Sequence, residues 1–181
     1  MPALLRRRWR RAPPPEVREP IPFSFEPGQL ACLVVPRRRV TLLRDRVGVV
    51  FQEDRLLPWR TLRDNIALVM RPFRYQGGEP SARAVHALQL VGLNGFERHY
   101  PGEVDAAIRQ RVAIARAFAI EPDVVLMDDP FSALDAQARR ALRREVRRIR
   151  DKTGQTIVFA TPSAEEAAEI GGVIIDLSDA F

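Results

Sequence analysis

Cysteine occurs once and histidine twice in these 181 residues, and several kinds of chemistry are excluded by that scarcity. The lone Cys32 sits among Ala31, Leu33 and Val34, has no second thiol for an internal disulfide, and reads as a small buried hydrophobe in a reducing compartment. His86 and His99 assemble with nothing else in the chain into a metal cluster or a Ser-His-Asp arrangement. No apolar run approaches the length needed to span a bilayer, so any membrane association is expected to be peripheral. The basic opening, Arg6 to Arg8, Arg10 and Arg11 around Trp9, is followed by Pro13, Pro14 and Pro15 rather than by an apolar stretch, and is not read as an export signal.

What is present suits one compact domain. A chain of this length buries roughly two-thirds to three-quarters of its unfolded surface on folding. Its 46% apolar and 29% charged residues match a globular protein. A net charge of +6 favours phosphates, nucleic acid or an anionic membrane face without choosing among them. Residues 1–20 read as a basic Arg/Pro-rich arm and residues 21–181 as the folded domain. Short apolar runs at 30–35, 47–51, 124–128, 156–160 and 173–177 alternate with helical patterns, the signature of an α/β domain with a mostly parallel sheet. Continuously apolar runs such as Val124 to Met127 suit strands covered on both faces.

Between about 53 and 120 the pattern is helical and reads as an insertion within the sheet domain. Leu62, Ile66 and Val69 form a stripe after Thr61, and Ala84, Leu88 and Val91 another after Ser81; both Thr61 and Ser81 are suitable N-caps. A third stripe is Ile108, Val112, Ala115 and Ala119. The segment 136–150 sets Leu142, Val146 and Ile149 against Arg139, Arg140, Arg143, Arg144, Arg147 and Arg148, which reads as a solvated amphipathic face.

Three blocks carry a family resemblance. Residues 124–135, Val-Val-Leu-Met-Asp-Asp-Pro-Phe-Ser-Ala-Leu-Asp, resemble a Walker B strand and D-loop; residues 47–59, continued by 61–68, resemble a Q-loop; and residues 109–117, after Tyr100-Pro101, resemble the helix that follows the ABC signature. Together, over roughly residues 23–178, the chain resembles ATP-binding subunits of ABC transporters, near the nitrate, sulfonate and taurine importers. The resemblance implies a P-loop NTPase-like fold of the ABC ATPase kind, with ATP and Mg²⁺ as ligands. Asp128 and Gln52 would attend the metal, and Asp129 would stand in the catalytic position. The segment beyond Gln52 would receive a permease's coupling helix. The implied partners are a permease and a homologous ATP-binding subunit, in a homo- or heterodimer on the cytoplasmic, inner face of the membrane.

The departures from that pattern are specific. A phosphate loop needs glycines so that successive backbone N–H groups wrap the anion, then a Lys and a Ser or Thr. The corresponding residues 35–43 are Val-Pro-Arg-Arg-Arg-Val-Thr-Leu-Leu, leaving only Arg37, Arg38, Arg39 and Thr41 as phosphate-binding candidates. Eleven residues, 36–46, between the first two strands are too few for the phosphate-loop helix plus the family's antiparallel strands, so the front half is truncated. Val104-Asp105-Ala106-Ala107 replaces the Leu-Ser-Gly-Gly signature; Asp105 caps a helix but sets a carboxylate where a partner's γ-phosphate would arrive. Asp129 is one methylene shorter than the family's Glu, and Pro162 occupies the switch-histidine position, with Ser163 and Glu166 reading as a capping box. Impaired ATP binding and hydrolysis, with a structural or regulatory role, is therefore the leading expectation. A weakly active ATPase and a basic protein binding anionic membrane or nucleic acid are the alternatives, nucleic acid being disfavoured.

Overall fold

The computed structural model describes residues 30–34, 47–71 and 79–176. The basic arm and the stretch carrying Arg37, Arg38, Arg39 and Thr41 lie outside the described residues. Five strands, β1 (Leu30–Val34), β2 (Val47–Val50), β3 (Val124–Asp128), β4 (Thr156–Thr161) and β5 (Val173–Asp176), form one sheet in the order β2-β3-β4-β1-β5. Every pairing is parallel, as continuously apolar strands require. Val124 to Met127 and Thr156 to Thr161 are buried throughout.

β1 and β2 are not neighbours, because β4 and β3 lie between them. Three strand spacings, about 14 Å, therefore separate them across the sheet.

Helices α1 (Leu62–Met70), α2 (Pro80–Leu90) and α3 (Ala106–Ala119) lie between β2 and β3, with a 3-10 turn at Pro101–Glu103; α4 (Ala136–Thr153) joins β3 to β4, and α5 (Ala164–Ile170) joins β4 to β5. Their apolar stripes meet in one core with Cys32, Val50, Val125, Met127, Ile157 and Phe159 from the sheet. α3 approaches β2 closely: a Cβ on Gly48 would lie 2.5 Å from the Ala117 carbonyl oxygen. Only glycine permits that contact.

Thr61 caps α1 as expected, its hydroxyl accepting the Asp64 N–H at 3.2 Å. Ser81 does not cap α2. The cap is Glu79, with Pro80 in the first turn, where a residue lacking an N–H is suited to start a helix. Ser163 and Glu166 form half a capping box: the Ser163 hydroxyl accepts the Glu166 N–H at 3.1 Å, but the Glu166 carboxylate is engaged elsewhere. The arginine face of α4 is likewise only partly solvated. Arg143 is buried between Glu166 and Glu169, and Arg147 donates to the Glu169 and Ile170 carbonyls, so both dock α5 instead of facing water.

Candidate nucleotide-binding edge

Because all strands are parallel, their carboxyl ends share one edge of the sheet, where open α/β sheets bind ligands. The register sets Val50 beside Met127 and Asp128 beside Ala160, so Gln52 just beyond β2 and Asp128 at the end of β3 emerge from neighbouring strands. Both are exposed. An exposed carboxylate with an amide oxygen on the adjacent strand suits a hydrated Mg²⁺, which keeps several waters and takes few protein ligands. No group of three or more His, Cys, Asp or Glu suited to a metal occurs among the described residues. The metal side of a nucleotide site thus fits the donors present, whereas its phosphate side falls on residues outside the description.

Asp129 follows in the left-handed region, at φ 43°, which Asp tolerates better than most residues. Its N–H donates to the Ala160 carbonyl at 2.8 Å, and its own carbonyl accepts the Ser132 hydroxyl at 2.9 Å. Burial pushes its carboxyl pKa up, and Glu166 and Asp128 push in the same direction; Arg139 and Ser132 oppose them. The turn is pinned from below by Phe131, fully buried, 5.6 Å from the Phe159 ring and under the Arg143 guanidinium at 5.5 Å. Asp135 then caps α4 by accepting the Gln137 and Ala138 N–H groups at 2.8 and 2.9 Å.

Pro162 follows directly on β4 and offers no titratable group. Thr161 beside it donates to the Glu166 carboxylate at 2.5 Å and accepts the Ser163 N–H at 3.2 Å. Glu166 is in turn paired with Arg143. Burial raises the pKa of the neighbouring Cys32 thiol to about 11, with Glu166 adding to the effect, so Cys32 stays a neutral thiol. At α3, the Asp105 carboxylate accepts the Ile108 N–H at 2.7 Å. That helix start is satisfied internally by an anion, which opposes a second one.

Residues 23–132 match the family model described as ABC transporter. The chain belongs to the ABC transporter family. It is 46% identical over 145 residues to a sulfate/thiosulfate import ATP-binding protein, CysA 2, of Rhizobium meliloti, covering 76% of this chain and 39% of that protein. It is 44% identical over 131 residues to the taurine import ATP-binding protein TauB of Rhizobium johnstonii, covering 72% of this chain and 50% of that one. This family member therefore spans half or less of the length of those relatives. Among solved structures, the ATP-binding cassette MJ0796, a post-hydrolysis dimer bound to ADP and Pi, superposes with a TM-score of 0.66 at 25% identity, covering 87% of this chain and 84% of that one. The P-loop NTPase-like fold of the ABC cassettes is thereby the fold of this chain.

The structure brings Gln52, Asp128 and Asp129 to one edge of the sheet, as the motifs imply. It also reveals residues that motif reading passes over. Asn65 is 2% exposed and bonds four backbone groups of residues 57–61, and Arg143 joins α4 to α5. The signal for both was spacing: Asn65 falls three residues after Leu62 and Arg143 three before Val146, each on its helix's apolar stripe.

Proposed function

We propose that this chain is the ATP-binding-type subunit of an ABC importer of the nitrate, sulfonate or taurine kind. In this reading it is impaired in ATP binding and hydrolysis and acts as a structural or regulatory partner of a permease or of a second ATP-binding subunit. The carrying observation is uneven retention. Asp128 and Gln52 lie at the carboxyl edge of the sheet, and the segment from Asp54 to Leu68 runs through a turn into α1. Residues 35–43 hold no glycine or lysine, residues 104–107 are Val-Asp-Ala-Ala, and Pro162 replaces a titratable group. Relatives named as importers of sulfate, thiosulfate and taurine support a transport substrate that carries a sulfur oxyanion group. The helical insertion, about 53–120, faces the permease. In the same reading the basic arm, residues 1–20, touches lipid headgroups at the inner face of the membrane.

Calorimetry with Mg·ATP on the chain alone and mixed with its permease complex tests this. A flat isotherm for the chain alone, with stable co-purification of chain and permease, is expected. Tight Mg·ATP binding against residues 35–41 overturns the impairment, and a chain that associates with no permease or ATPase subunit overturns the partnership. A second reading, a slow ATPase, draws on the raised pKa of Asp129, which moves a carboxylate toward the range of a general base. Mg·ATP turnover abolished by Asp128→Asn supports it. The basic nucleic-acid reading loses ground because Arg143 and Arg147 are committed to α5.

A further inference from the structure

The backbone on both sides of Gln52 is held by a single helix. Before it, the Phe51 carbonyl accepts the Gln110 side-chain amide at 3.3 Å, and Gln110 is buried. After it, the Asp54 carboxylate accepts Arg109 Nε at 3.0 Å and the Leu56 N–H at 3.0 Å. Arg116 donates to the Asp54 and Arg55 carbonyls at 2.7 and 2.9 Å. Arg109 also donates to the Val104 carbonyl at 2.8 Å, tying the same clamp to the segment leading into α3. All three donors sit on α3, which is itself seated on β2 through the close contact at Gly48. Only Gln52 and Glu53 lie between the two anchor points, and both side chains are exposed.

We propose that Gln110, Arg109 and Arg116 are positioning residues for Gln52, which fix the loop in one conformation and present its amide at the sheet edge without help from a nucleotide. The physical reason is charge-assisted bonding on a loop with little slack. Two guanidinium groups gripping a carboxylate and two carbonyls make stronger bonds than neutral donors do. Two residues between fixed ends have few backbone states left. The segment carrying Trp59, 71% exposed, is thereby presented in a preset orientation. This goes beyond the proposed subunit role and its test does not depend on it.

Hydrogen exchange by mass spectrometry on the full chain, without nucleotide, decides the matter. The amides of Leu56 and Leu57, which donate to Asp54 Oδ1 and Asn65 Oδ1 at 3.0 and 2.7 Å, are expected to be protected in the unaltered protein. In Arg109→Gln/Arg116→Gln they should exchange about tenfold faster or more, while a peptide over β3, residues 124–128, keeps its protection. Leu142→Ala, which weakens the core away from the loop, should lower protection globally and without that local preference. Unprotected amides at Leu56 and Leu57 in the unaltered chain, or unchanged exchange in the double variant, overturn the inference. Should the double variant fail to fold, Arg116→Lys, which keeps the charge and loses the two-pronged grip on the Asp54 and Arg55 carbonyls, supplies the same comparison at Leu56 and Leu57. The clamp stands if exchange there rises alone and falls if it does not.

Discussion

Replacing Asn65 by alanine removes one acceptor and one amino group from the interior without opening a large cavity. Asn65 Oδ1 accepts the Leu57 N–H at 2.7 Å, and Nδ2 donates to the carbonyls of Leu57, Arg60 and Thr61 at 3.1, 3.2 and 3.0 Å. Two of those carbonyls have other donors, since Leu57 O also accepts the Arg60 N–H at 3.1 Å and Thr61 O the Asn65 N–H at 2.9 Å. The Leu57 N–H and the Arg60 carbonyl are left without the partner that Asn65 gave them. An orphaned buried polar group costs about 1–3 kcal/mol, so the substitution should destabilise the chain by about 2–4 kcal/mol. In a domain of this size that lowers Tm by on the order of 10 °C. Urea unfolding followed by circular dichroism should show a lower midpoint with an unchanged slope. A loss below about 0.5 kcal/mol, the size of an ordinary surface substitution, would refute the view that this amide holds the segment in place.

Asp129→Asn should raise Tm at pH 7 to 8. A carboxyl whose folded pKa is raised destabilises the fold once pH exceeds its unfolded value, so the gain should shrink as pH falls toward about 4 and disappear below it. A Tm difference that widens in acid contradicts the assignment. Gly48→Ala forces a methyl against the Ala117 carbonyl, and overpacking of about 1–3 kcal/mol should appear in the denaturation midpoint. Asp105→Ala removes the cap of α3 and should cost about 1 kcal/mol by the same measurement.

Much of the architecture was legible because it rests on short-range rules. The apolar runs gave all five strands to within a residue or two at their ends, and the stripes gave α1 to α4 because core burial repeats with the helix period. The motif blocks placed Gln52, Asp128 and Asp129 together, since parallel strands must end on a common edge. Ser81 was misplaced as a cap because Pro80 begins the helix one residue earlier. The arginine face of α4 was misjudged for a different reason. A guanidinium is charged wherever it stands, and the sequence could not tell that Glu166 and Glu169 on a later helix would neutralise Arg143.

By itself, then, the sequence determined which segments are strands and helices and which family scaffold they build. All of that is encoded in residue type and spacing along the chain. Tertiary structure alone decided the strand order that separates β1 from β2, the α3 grip on both sides of Gln52, and the chain of contacts from Thr161 through Glu166 to Arg143. These join residues far apart in the chain, 62 positions for Arg116 and Asp54 and 142 for Ala31 and Val173, and a hydrogen bond depends on where two groups meet in space rather than on how far apart they are written.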